Sequence, residues 1–241
     1  MVSQIHQAAL ALRKLVGHDA DESLVTINQQ MFNRLKQFAL LGGKSLVDWS
    51  CEAFQNHPQV DDIVLVLPDQ AGKTGWAGRF SKIVDVVSGG RRRQDSVGAG
   101  FKRLDPMRTG FVLVHDGARP LVTADLIDRV IEAGRKNGAA VPIVPVDDTL
   151  KEIESDRVAR TLDRSRIGRA QTPQGFAFAL LSQALASADE TEFMGTDEAS
   201  LVERLGRPVT VVAGDPRNMK ITTSLDLITA EAIRNENRTG V

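Results

Sequence analysis

The sequence predicts an α/β protein, a Rossmann-like, mostly parallel sheet with helices on both faces and a protruding β-arm. Two observations carry that prediction. From Lys44 onward, short apolar runs alternate with segments whose apolar residues recur every three to four positions. The apolar runs are nearly continuous rather than alternating, as expected of strands covered on both faces. A third observation sets the arm apart: residues 147–170 are too polar to sit on a core.

The elements follow in order. Val47, Cys51 and Phe54 lie at helical spacing, and Asp62–Leu67 is a β-branched run ended by Pro68. Ile83–Val87 reads as a strand, followed by Gly89-Gly90-Arg91-Arg92-Arg93-Gln94-Asp95-Ser96-Val97 and a helix from Val97 to Leu104 with Ser96 as its N-cap. Phe111–Val114 is a further strand. Thr123 caps a helix through Asn137, punctuated by Gly138, and Ala139–Val146 is the next strand. Asp148–Ile153 and Val158–Leu162 form two polar strands about the turn Glu154–Arg157. Phe176–Ala188 and Thr196–Leu205 are helical, Pro208–Ala213 is a strand, and Ser224 caps a last helix carrying Leu225, Ile228 and Ala232. Asn235–Val241 is expected to fray. Met1–Val16 carries an apolar helical stripe and reads as a docked surface helix rather than a transit peptide.

Composition bounds the function. The 241 residues suit one domain, spanning 1–241, with 42% apolar and 25% charged residues. A formal net charge of -1 demands no nucleic-acid partner. No apolar stretch approaches the ~20 residues of a membrane span, so a cytoplasmic protein is expected. The lone Cys51 reads as a core thiol, and four scattered histidines argue against structural zinc.

Ligands of such sheets collect at the carboxyl ends of strands. Two polar loops lie there: Gly89–Ser96, whose glycines allow close backbone approach beside three arginines, and His115-Asp116-Gly117-Ala118-Arg119-Pro120. Arg164–Gly175 adds cations and hydroxyls. Gly195-Thr196-Asp197-Glu198 opens a helix that Thr196 can cap, leaving free N–H groups for a phosphate. Asp215–Lys220 ends the last strand with a cation. Together these supply charge for a phosphate, with Asp116 and Asp215 as oxygen ligands for a hard metal such as Mg²⁺. No activated nucleophile is evident.

The motifs Gly-Gly-x-x-Arg-Gln-Asp-Ser-Val, His-Asp-Gly-Ala-Arg-Pro, Val-x-Asp-Thr, Asp-Arg-x-x-x-x-x-Ala-Gln-Thr-Pro-Gln, Thr-Asp-Glu-Ala-Ser and Asn-x-Lys-Ile-Thr occur in that order over roughly Lys36 to Ile233. The set resembles the 2-C-methyl-D-erythritol 4-phosphate cytidylyltransferases of the non-mevalonate isoprenoid pathway. The resemblance implies CMP transfer from CTP to the sugar-alcohol phosphate with Mg²⁺ and release of pyrophosphate. It implies catalytic roles for Lys36, Arg164 and Lys220, and substrate binding by Thr149, Thr172, Thr196 and Arg119. Gly89, Gly90, Ser96, Asp116 and Gly117 would hold the nucleotide, with Asp116 also at the metal. It implies a homodimer in which the 147–170 arm supplies Thr149 and Arg164 across the interface. Ribitol-5-phosphate cytidylyltransferases share the chemistry, and a non-catalytic homologue is a third reading.

The N-terminal 1–35 departs from that pattern. Such proteins carry an Ala-Ala-Gly-x-Gly-x-Arg-Met loop for the triphosphate, whereas no glycine stands between Gly17 and Gly42 here. Gln29 falls at the arginine position and Leu35 at that of a proline; Arg34 is the nearest cation. An aberrant start, a weak enzyme and a pseudoenzyme all remain open on this ground.

Overall fold

The computed structural model describes residues 38–68, 75, 76 and 78–239. Lys36, the divergent segment before it and the expected N-terminal helix lie outside these residues.

The described chain opens with a two-stranded ladder, β1 (Leu40–Leu41) and β2 (Lys44–Ser45), joined through Gly42 and Gly43 at φ of 57° and 81°. Glycine suits that turn because left-handed φ is strained for other residues. Ser45 then caps α1 (Leu46–Gln55), its Oγ accepting the Asp48 N–H at 3.2 Å. The helix buries Leu46, Val47, Cys51 and Phe54, the apolar spacing read from the sequence. Burial pushes the Cys51 thiol up to about 12, with Asp48 adding to the rise, so it stays an inert core group.

β3 (Ile63–Leu67) pairs in parallel with β4 (Ile83–Ser88), and α2 (Arg93–Phe101) follows. After β5 (Phe111–Val114), α3 (Ala124–Asn137) is capped by Thr123, whose Oγ1 accepts from Leu126 N, and stopped by Gly138 at φ 91°. It buries Leu126, Ile127, Val130 and Ile131, each contributing roughly 1.5–3 kcal/mol.

β6 (Ala139–Pro145) leads to the hairpin β7 (Lys151–Glu154) and β8 (Arg157–Thr161), whose residues are exposed throughout. β9 (Gly168–Ala170) and β10 (Gln174–Ala177) precede α4 (Phe178–Glu190) and α5 (Glu198–Arg204). β11 (Thr210–Ala213) and α6 (Ser224–Thr239) complete the order.

The main sheet runs β11-β6-β10-β5, with β9 also on β6. β11 is parallel to β6, while β10 lies antiparallel to both β6 and β5. Thus β5, β6 and β11 point the same way, and the reversed β9 and β10 make the sheet mixed. Gln174-Gly175-Phe176-Ala177 has no β-branched residue, so sequence reading assigned its second half to the helix. Its strand conformation comes from two neighbours that satisfy its backbone.

Three helix starts differ from expectation. α2 begins at Arg93, with Arg92 N–H donating to Asp95 Oδ2 at 3.1 Å, so Ser96 sits inside the first turn and is not the N-cap. Asp197, not Thr196, caps α5, accepting from Ser200 N at 3.0 Å. Thr223 caps α6: its Oγ1 accepts the Asp226 N–H while Asp226 Oδ2 accepts the N–H groups of Thr222 and Thr223. In each case a neighbouring hydroxyl or carboxylate competes for the same orphan donors, and chain direction decides between them.

Candidate functional site

Register builds the centre of the site. Val114 faces Gln174 across the β5–β10 ladder, so two residues further out Asp116 meets Thr172. The Asp116 N–H donates to Thr172 Oγ1 at 3.0 Å, and the same hydroxyl lies 3.2 Å from His115 Nδ1. The other ring nitrogen of His115 is 3.2 Å from Arg119 O. Burial pulls the His115 pKa down to about 4, which keeps the ring neutral and makes it a hydrogen-bonding strut.

Three cations converge on the Asp116 carboxylate. Arg93 Nε lies 3.1 Å from Oδ1, Lys220 Nζ 2.9 Å from Oδ2, and Arg119 Nε 3.5 Å from Oδ2. Burial by itself would raise this carboxyl; Arg93, then Lys220 and Arg119, hold it well below the usual carboxylate range. Arg119 is itself buried and donates to Asn218 O at 2.9 Å. Asn218 and Gln171 brace this loop: Asn218 Nδ2 donates to Thr172 O, and Gln171 Nε2 donates to the carbonyls of Asp215 and Asn218. The Asp215–Lys220 turn is thereby locked onto the end of β9.

Other expected residues fall as follows. Gly117 adjoins Asp116, and a Cβ there would make ordinary contact with Val47, so space does not demand glycine. Gly89 and Gly90 lie on the loop between β4 and α2, but what approaches them is protein. A Cβ on Gly89 would stand 2.8 Å from Ser96 Oγ, and one on Gly90 only 2.2 Å from Asp95 Cβ. Their N–H groups donate to Leu67 O and Ser96 Oγ.

The free phosphate-binding donors expected at α5 are likewise engaged, Ala199 N by Gln174 Oε1 and Ser200 N by Asp197. Thr196 is exposed just before that helix. Thr149 and Arg164 are exposed on the arm and its base, where Arg164 donates to Asp147 O. Among the described residues neither reaches Asp116. Asp215 is occupied by Arg217 N at 2.9 Å, and no group of three metal-binding side chains occurs among the described residues.

Sequence reading missed Arg93 and Glu198. Arg93 Nη1 donates to both carboxylate oxygens of Glu198 at 2.7 Å, while its Nε reaches Asp116. Glu198 is 1% exposed, and burial pushes its carboxyl up against the pull of Arg93. Both residues stand inside the recognised motifs, yet nothing local pairs groups 105 positions apart.

The Asp116 carboxylate, 13% exposed under its three cations, thus gathers residues that follow β4, β5 and β11. The 2-C-methyl-D-erythritol 4-phosphate cytidylyltransferase (IspD) family model matches residues 28–236. The chain belongs to this family. A cytidylyltransferase of that name from Syntrophus aciditrophicus is 44% identical over 206 residues, covering 82% of this chain and 86% of the relative. One from Halalkalibacterium halodurans is 42% identical over 205 residues, with 83% and 89% covered. The crystal structure of the Thermus thermophilus cytidylyltransferase superposes with a TM-score of 0.74 at 37% identity, covering 83% of this chain and 94% of that one. The corresponding synthase structure from Anaerococcus prevotii gives 0.76 at 30% identity, with 83% and 93% covered. No helix among the described residues of this cytidylyltransferase-family chain is long and apolar enough to cross a membrane.

Proposed function

We propose that the chain transfers CMP from CTP to 2-C-methyl-D-erythritol 4-phosphate, releasing pyrophosphate, in isoprenoid precursor biosynthesis. The observation that carries the reading is the Asp116 cluster, with Arg93, Arg119 and Lys220 held on one half-buried carboxylate, in a chain of this family. An oxygen of the acceptor phosphate forms a bond to the α-phosphorus of CTP. The bond from that phosphorus to the oxygen bridging to the β-phosphate breaks, and pyrophosphate leaves.

Such transfer depends on positioning and on neutralising developing charge, so fixed cations serve it better than a nucleophile. On this reading Lys220, 36% exposed at its side chain and 2.9 Å from Asp116, meets the acceptor phosphate. On the same reading Thr172, Thr196 and Arg119 bound the acceptor side, and Gly89, Gly90, Ser96, Asp116 and Gly117 bound the nucleotide side. Lys36, outside the described residues, matches in sequence the family lysine that stabilises the transition state.

The donor set fits a divalent cation that arrives with the nucleotide. A carboxylate has about four lone-pair positions, and three donors already face that of Asp116, leaving about one for a metal. Mg²⁺ tolerates this, since it keeps waters and takes most other ligands from substrate phosphates. Asp116 would hold it, and the ion when bound supplies neutralisation of the triphosphate.

The exposed β7–β8 hairpin supports a homodimer. Ile153 and Val158 face one another across it at 66% and 60% exposure, an apolar pair without cover among the described residues. On this reading residues 1–241 are one cytosolic catalytic domain, and the 147–170 arm delivers Thr149 and Arg164 to the other copy.

The test is pyrophosphate release from CTP and Mg²⁺ with either methylerythritol phosphate or ribitol 5-phosphate. Turnover with the first, reduced about 10²–10³-fold by Lys220→Ala, is expected. Release with ribitol 5-phosphate alone, or none with either, would overturn the assignment.

A further inference from the structure

The first turn of α2 grips the segment before α5 through three consecutive residues. Arg93 makes its two 2.7 Å bonds to Glu198, the first residue of α5. Gln94 Nε2 donates to Phe193 O at 3.2 Å, and its Oε1 accepts the Gly195 N–H at 3.0 Å. Arg92 Nη1 lies 2.9 Å from Met194 Sδ. Gln94 thus holds both a carbonyl and an amide of this loop, as a paired strand would.

The loop is also pressed onto its own helix. A Cβ on Gly195 would stand 2.5 Å from Ser200 Oγ and 2.6 Å from Leu201 Cδ2, so residues 195–201 have little freedom to move separately. Beneath them Gln174 bonds Asp197 Oδ2 at 2.7 Å and Ala199 N at 3.1 Å. Arg93 closes the circuit by reaching Asp116 Oδ1. A displacement of α2's first turn, which adjoins the Gly89–Ser96 loop, is therefore transmitted to Thr196 through side chains that contact neither ligand in the assigned roles.

We propose that Arg93, Gln94 and Glu198 are positioning residues that couple the nucleotide half of the site to the acceptor half. Resting on the reaction assigned above, the coupling works in both directions: a nucleotide that settles α2's first turn also settles Thr196 for the acceptor phosphate. Reciprocity is a thermodynamic requirement, and couplings of this type typically amount to about 5–150-fold in affinity.

Titration calorimetry on the full chain measures it, with α,β-methylene-CTP and Mg²⁺ as the unreactive nucleotide and methylerythritol phosphate as acceptor. In the wild type the acceptor should bind about tenfold tighter once the analogue is present. In Gln94→Ala and Glu198→Gln that factor should fall below about twofold, while affinity for the analogue alone stays within about twofold. In turnover the same variants should raise KM for the acceptor far more than KM for CTP, with Glu198→Asp partly restoring it. Gln94→Ala alters a half-buried surface residue, so its result stands even where Glu198→Gln folds poorly.

An uncoupled wild type, a coupling factor unchanged in both variants, or loss of nucleotide affinity in proportion to that of the acceptor would overturn the proposal. Pyrophosphate release by the wild-type chain tests the reaction separately, since the coupling factor is read from binding alone.

Discussion

Replacing Asp116 by Asn removes one negative charge from among three positive ones while keeping the side chain's shape. At an effective dielectric near 20, a single pair at about 3 Å is worth about 5 kcal/mol of gross attraction, most of it cancelled by desolvation. What remains after the substitution is unfavourable: Arg119, 11% exposed at its side chain, keeps its charge without its anion, and the Asn amide has no acceptor to offer Lys220 unless it flips away from Arg93. Breaking a buried pair by removing one partner costs about 3–5 kcal/mol. The lower half of that range is expected, because Arg119 keeps its bond to Asn218 O and Arg93 keeps Glu198. For a chain of this size that amounts to a fall in Tm of about 6–16 °C.

The pH dependence follows from the sign of the shift. Asp116 titrates lower in the folded state than its unfolded value near about 3.9, so its contribution is complete above that value. The gap between wild type and Asp116→Asn should hold steady from about pH 5 to 8. It should shrink as pH falls below the unfolded value and vanish by the depressed native value. Calorimetric melts across that range measure it. A variant within about 0.5 kcal/mol of wild type at pH 7 would refute the claim that this carboxylate organises the three cations.

Two other perturbations test the nucleotide loop and the arm. Gly90→Ala places a Cβ 2.2 Å from that of Asp95, so it should cost about 1–3 kcal/mol in urea unfolding and shift the Arg92–Ser96 turn; CTP affinity by calorimetry should fall about tenfold. Ile153→Asp with Val158→Asp alters only exposed positions and should leave the fold within about 0.5 kcal/mol, while sedimentation shows monomer in place of dimer.

Much of this protein is written locally. The Thr123 cap, the Gly138 stop and the buried stripe of α3 are properties of neighbouring residues, so periodicity and capping rules locate the helix to the residue. The arm was legible because its polarity leaves it no core to join. Asp116, Arg119, Thr172 and Lys220 were legible as members of ordered motifs, and the structure brings these four together. Less legible were choices between adjacent capping groups. Ser96 against Arg92 and Thr196 against Asp197 turn on chain direction at entry, which a one-dimensional pattern underdetermines.

By itself the sequence determined the α/β alternation, most element boundaries and the residues gathered at the strand ends, because those depend on interactions a few positions apart. Tertiary structure alone decided that Gln174–Ala177 is a strand, since only β5 and β6 satisfy its backbone on both edges. It alone spent the glycine-loop amides on Leu67 and Ser96, and joined Arg93 to both Glu198 and Asp116. Those bonds link residues made neighbours by sheet register and helix packing, and no local propensity encodes a partner 105 positions away.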